Sequence, residues 1–142
     1  MKLQGGILEA ARMLAGLSRE ARKKALEFIS KKDPRMAEAL EKNMYTFEDI
    51  QFISPLMLIE LLKDIKVSDL GLALRISSNE LKDFIFKNTP KLMRQEIEES
   101  LVGPPQLASK IEEAQERVMS VVRAKLEKGE LIIDKDPSNR TV

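Results

Sequence analysis

The sequence predicts an all-α fold. Three observations carry that prediction. Apolar residues recur every three or four positions along most of the chain, the spacing that lines one face of a helix. All six prolines fall at breaks between those apolar runs. Strand-like alternation occurs nowhere outside Leu131 to Ile133. Aromatic content of 4%, with no Trp, fits the same class, because sandwiches and barrels draw more heavily on aromatic and β-branched residues.

The elements follow in order. Gly5 and Gly6 precede a first helix whose stripe is Leu8, Ala11, Leu14 and Ala15, ending at Gly16. Ser18 is positioned to cap a second helix, with Ala21, Ala25, Phe28 and Ile29 on one side. Asp33-Pro34, a cap residue and then proline at the first helical position, starts a third, with Met36, Ala39, Leu40 and Met44 on one side. Thr46 and Asp49 resemble a capping box, with Asp in place of Glu. Ser54-Pro55 opens a helix directing Leu58, Ile59, Leu62 and Ile65 inward. Ser68 or Asp69 caps a short helix through Leu74. Asn79 starts another, carrying Leu81, Phe84 and Ile85. Thr89-Pro90 opens the charged helix 90–101, stopped by Val102-Gly103-Pro104-Pro105. Ser109 caps the last and longest helix, with Ile111, Ala114, Val118, Val121, Val122 and Leu126 in line, closed by Gly129. Residues 134–142 read as a disordered tail.

The expected organisation is a small three-helix layer of the armadillo type over residues 5–44, then a six-helix bundle over 45–133. A Met-x-x-Phe segment, Met44-Tyr45-Thr46-Phe47, joins them. Two readings of that joint stay open. It is either a helix-to-helix turn anchored by two buried side chains or a hinge whose apolar anchors repack. The near-continuous apolar run Leu56, Met57, Leu58, Ile59, Leu61, Leu62 has two readings as well: burial on all sides of the bundle, or an exposed patch for a partner.

Composition excludes several functions. Charged residues at 33% and hydrophobic ones at 43% describe a folded globular chain. A net charge of +1 argues against a dedicated nucleic-acid binder. The basic cluster Arg19, Arg22, Lys23, Lys24, Lys31, Lys32 is interleaved with Glu20 and Glu27 and reads as a solvated helix face. The absence of Cys removes disulfides, thiol catalysis and Cys-based zinc sites, and the absence of His removes the commonest general base and metal ligand. Glu96, Glu98, Glu99, Glu112 and Glu113 lie between stripe positions and read as solvated rather than as an acid–base pair. No phosphate-binding loop follows Gly5-Gly6, and Ser77, Ser78 and Thr89 have no triad partners. The expectation is a non-enzymatic protein binder needing no cofactor or metal. No signal peptide or membrane span is legible, so the expected place is cytoplasmic.

Met44 to Phe47, Asp69 to Arg75, Glu80 to Asn88, Gly103 to Gln115 and Lys128 to Glu130, in that order, together resemble the C-terminal half of the FliG family of flagellar motor switch proteins, namely its second armadillo-like layer plus its charged C-terminal domain. Met44-Tyr45-Thr46-Phe47 is similar to that family's Met-Phe-x-Phe motif. Asp69-Leu70-Gly71-Leu72-Ala73-Leu74-Arg75 resembles its Asp-Leu-x-x-Ala-Leu-Lys. Glu80-Leu81-Lys82 with Ile85-Phe86-Lys87-Asn88 resembles its Glu-Leu-(Lys/Arg)-x-x-Ile-Phe-Lys-Asn. Gly103-Pro104, then Ser109, Ile111-Glu112 and Gln115, look like its Gly-Pro-Val-Arg and Val-Glu-x-x-Gln region, and Lys128-Gly129-Glu130 like its ending. Gly5-Gly6 is similar to the linker before its second layer.

The resemblance implies a component of the bacterial flagellar rotor and switch, acting in torque generation and in the reversals that serve chemotaxis and motility. It would be peripheral at the basal body and tied to the membrane only through it. Implied partners are FliG-type neighbour subunits, a FliM-type switch protein and the loop of a MotA-type stator. Implied stator-facing charges are Arg75, Arg94, Glu98 and Glu99, and the implied hinge is Met44, Tyr45, Thr46 and Phe47. The pattern departs from the family at the charged helix. Leu92 stands where an Arg is usual, with Arg94 two places on. The acidic pair falls on Glu99 and Ser100, with Glu98 just before. The last Arg falls near Gln106. That erosion admits an alternative, a diverged FliG-like interaction or assembly protein without a direct torque role. The family's N-terminal and middle domains have no counterpart in the sequence, so the expectation is a fragment or a truncated paralogue. In either case Leu8, Leu14, Leu17, Phe28 and Met36 would form an apolar face for a partner or for self-association.

Overall fold

The computed structural model describes residues 2–134, with side chains from residue 6 onward. Among these residues it contains α-helices and 3-10 turns and no strand. The expected tail residues 135–142 lie outside the described residues. Asp134, assigned to that tail from sequence, donates its backbone N–H to the Phe52 carbonyl at 3.4 Å.

The chain divides into two compact units between Thr46 and Phe47. The first holds α1 (Lys2–Ala15), α2 (Arg19–Lys32) and α3 (Pro34–Asn43). Gly5 and Gly6 lie inside α1 rather than ahead of it. Glycine lowers helix propensity by about 1 kcal/mol per residue, but it keeps its N–H and has no ring to clash, so it does not stop a helix as proline does. Ser18 accepts from the Ala21 N–H at 3.2 Å, and Asp33 from the Met36 N–H at 3.2 Å, so both caps form as the sequence predicts. α3 packs against both α1 and α2. The core of this unit is Ala11, Leu40 and Met44, surrounded by Ile7, Ala10, Leu14, Ala15, Leu26, Ile29 and Met36. In α2 no residue is fully buried, and Phe28 stands beside the inward Leu26 and Ile29 rather than among them.

The second unit begins with a 3-10 turn, Phe47–Phe52. It continues through α4 (Pro55–Leu62), α5 (Val67–Ala73), a 3-10 turn Leu74–Ile76, α6 (Asn79–Lys87), α7 (Lys91–Leu101) and α8 (Ala108–Glu127). α5 packs against α7 and α8. Ile50, Leu58, Leu61, Leu70, Leu74, Leu81, Ile85, Ile97, Val118 and Val122 are essentially inaccessible. The apolar run in α4 is not buried on all sides: Leu58, Leu61 and Leu62 point inward, while Leu56 is 74% exposed.

Three helix starts differ from expectation. α5 begins after Lys66, and α8 after Leu107, with no side-chain cap bond, so Ser68, Asp69 and Ser109 lie within their helices. α7 likewise starts after Pro90 without a side-chain cap. Asp69 takes a bidentate ion pair from Arg117 of α8 instead, at 3.0 and 3.1 Å. Asp64 and Lys125 make a second link at 2.6 Å. The hydrogen bond from Lys125 holds the Asp64 carboxyl below its ordinary range, and the same bond raises the Lys125 ammonium. Gly129 closes α8 at φ +75, a conformation glycine adopts freely. Beyond it Leu131 and Ile133 are buried and Ile132 is exposed, a two-residue alternation without strand pairing.

Ser54 accepts from the Met57 N–H at 3.1 Å at the start of α4. Ser54→Ala is expected to cost about 1 kcal/mol of stability, read as a lower urea midpoint with an unchanged slope.

Candidate protein-contact site

The charged helix α7 is built as a two-sided element. Ile97 is fully buried and faces α5. At 3.6 residues per turn, Glu99 falls nearly opposite Ile97, with Glu96 and Glu98 on its two flanks. Glu96, Glu98 and Glu99 are exposed, and so are Lys91 and Gln95. Leu92 belongs to the same outward face and is 76% exposed. The solvent side of α7 is therefore mainly acidic, with one apolar side chain near its start.

The packing that presents this face depends on Gly71. A Cβ at Gly71 would stand 2.5 Å from both the Ile97 carbonyl oxygen and the Ser100 Cβ. Only the absence of a side chain lets the α5 and α7 backbones come this close.

The four residues assigned to the stator face do not share one environment. Glu98 and Glu99 are exposed. Arg94 is half-buried, and its Nη2 donates to the Thr89 carbonyl at 2.9 Å, tying it to the start of its own helix. Arg75 is also half-buried. Its Nε and Nη2 donate to the Ser100 carbonyl at 3.1 and 2.7 Å, and its Nη1 to the Pro104 carbonyl at 2.7 Å. Sequence reasoning identified the charge at Arg75 but not its partners, which lie 25 and 29 residues away. It gave Glu48 no role. That carboxylate accepts the Ser78 N–H at 2.9 Å and the Ser78 hydroxyl, and Ser78 in turn caps α6 through the Leu81 N–H.

In the joint, Met44 packs into the first unit's core and ends α3 in an extended conformation. Phe47 is buried at the start of the 3-10 turn, and Tyr45 and Thr46 are half-buried between them. The assigned apolar face divides. Leu14 and Met36 pack against the first unit's core. Leu8, Leu17 and Phe28 are exposed, and Lys32 lies over the Phe28 ring at 4.6 Å.

No group of three acidic, His or Cys residues among the described residues is placed to hold a metal ion. No described helix is long and apolar enough to cross a membrane. An open cleft of about 450 Å³ runs beside Asp69 and Arg117, and the ion pair between these residues forms part of its wall.

Residues 27–133 match the FliG C-terminal domain model. The chain belongs to the FliG C-terminal domain family. It is 34% identical to the flagellar motor switch protein FliG of Bacillus subtilis over 91% of its own length, and 35% identical to that of Thermotoga maritima over 91%. It spans only 38% and 39% of those two FliG proteins. Among solved structures, a Helicobacter pylori FliG fragment superposes with a TM-score of 0.62 at 28% identity, covering 88% of this chain and 59% of that one. Full-length FliG from Aquifex aeolicus superposes with a TM-score of 0.57 at 31% identity, covering 87% and 39%. These FliG relatives match both units, since the alignments extend beyond either unit alone.

Proposed function

We propose that this chain is a non-enzymatic component of a flagellar motor switch and that the outward face of α7 is its contact with the stator. The observation that carries this reading is the free acidic face of Glu96, Glu98 and Glu99 on a helix whose other side is locked to α5. Family membership supplies the motor context. Exposed charges suit a contact that forms and breaks repeatedly, because they govern encounter and orientation more than lasting affinity. The partner surface on the stator would be basic, as in a MotA-type loop. Arg94 sits at the flank of this face.

Met44, Tyr45, Thr46 and Phe47 serve as the joint between the two units, with Met44 as the anchor on the first-unit side. Exposed Leu8, Leu17 and Phe28 offer a surface for a FliG-type neighbour, a FliM-type protein or a second copy. The protein would act in the cytoplasm, peripheral at the basal body.

A fluorescent fusion expressed at native level tests the assignment. It is expected to form foci that coincide with flagellar basal bodies. Diffuse fluorescence in motile cells would instead favour an assembly role without torque. That second reading draws on Leu92, an apolar side chain at 76% exposure on the contact face.

A further inference from the structure

The acidic residues of α7 stand at the end of the helix that its own dipole makes negative. Glu98 and Glu99 lie in the last turn, where unpaired carbonyls already concentrate negative charge. That turn contains no basic residue of its own. A cation near the helix end would offset the repulsion, and Arg75 supplies one from outside the helix. Its Nε and Nη2 converge on the carbonyl of Ser100, one of the terminal acceptors that the helix cannot satisfy itself. Its Nη1 reaches one turn further, to the carbonyl of Pro104. The guanidinium thereby joins the end of α7 to the turn that follows it.

Two glycines make room for this arrangement. Gly71 precedes Arg75 by one helical turn and lies against Ile97 and Ser100, so the arginine extends over the same helix contact. At Gly103 a Cβ would stand 3.0 Å from Nη2 of Arg75.

We propose that Arg75 is the positioning residue of the acidic end of α7. It acts as a C-cap supplied by another element and holds Glu98 and Glu99 in place, rather than offering its charge to a partner. The proposal rests on the reading of α7 as the contact helix. It also separates two roles that a charge count confuses. A residue that presents charge is replaceable by lysine. A residue that bridges two carbonyls with one planar fork is not, because an ammonium keeps the charge without the geometry.

Hydrogen exchange on the full chain, with Arg75→Lys and Arg75→Met, tests this directly. Amides of residues 99–103 are expected to exchange about tenfold faster in Arg75→Lys, and faster again in Arg75→Met. Amides of α2 should keep their wild-type rates. Wild-type exchange across 99–103 in folded Arg75→Lys would overturn the proposal, and this variant decides the matter if Arg75→Met does not fold. Swimming is compared at matched protein level and matched melting temperature. Arg75→Lys is expected to swim more slowly although its charge is kept, and wild-type swimming would count against the positioning role. The underlying reading fails separately: faster exchange in Arg75→Lys, with swimming indifferent to reversal of Glu98 and Glu99, would leave Arg75 a cap on a helix that is not the contact.

Discussion

Gly71→Val is expected to destabilise the second unit by about 3 kcal/mol or more, the upper range for overpacking a close helix contact. Even alanine would place its Cβ 2.5 Å from a backbone oxygen and from the Ser100 side-chain carbon. Neither obstacle is the far end of a flexible chain, so relief requires α5 and α7 to separate. The cost is steric, since Gly129 is the only described residue at positive φ. Gly129 presents the opposite case, with nothing within 4 Å of a Cβ but a backbone that disfavours one. Urea unfolding checks the first claim through a lower midpoint at Gly71→Val. A variant as stable as wild type would show that the two backbones are not held at this distance.

Glu48→Ala is expected to cost about 2–3 kcal/mol, the range for losing charge-assisted hydrogen bonds at a half-buried site. One carboxylate receives two donors from Ser78, and Ser78 holds the first turn of α6. Loss of Glu48 strands the Ser78 N–H and loosens the 3-10 turn against α6, which pack together. Ser78→Ala should cost less, because the backbone N–H bond to Glu48 survives. A double-mutant cycle is expected to show that the two changes together cost less than their sum. Strict additivity would show that the pair does not act as a unit.

Much of the fold was legible because helices announce themselves locally. Ser18, Asp33 and Ser54 form the predicted caps, since a cap and its N–H lie three residues apart. Sequence reasoning failed where the decisive contact is distant or where no side chain marks the boundary. Lys66 and Leu107 precede helices without cap bonds, whereas the sequence offers Ser68, Asp69 and Ser109 as caps. Residues 47–52 form a 3-10 turn rather than the α-helix that Thr46 and Asp49 suggest. Phe28 fits the helical period of α2 only at its edge, and the alternative inward residue, Leu26, satisfies the core better.

The site shows the same division between local and distant signals. Exposure of Glu98 and Glu99 follows from the period of α7, because Ile97 fixes which side is inward. The placement of Arg75 does not follow from any period. Its fork closes on the carbonyl of Ser100, within α7, and on that of Pro104, just after it, and only the three-dimensional path of the chain brings these together. The resemblance therefore marks the charge at Arg75, while the carbonyls its fork occupies are visible only in the fold.

Swimming in cells carrying the double reversal Glu98→Lys, Glu99→Lys decides whether α7 is the contact helix. Both side chains are exposed, so the protein should fold with a melting temperature close to wild type. Swimming speed is expected to fall by about half or more at normal protein level, because reversed charges repel a basic partner surface. Wild-type swimming with the folded variant at normal level would contradict the assignment of α7 as the contact helix.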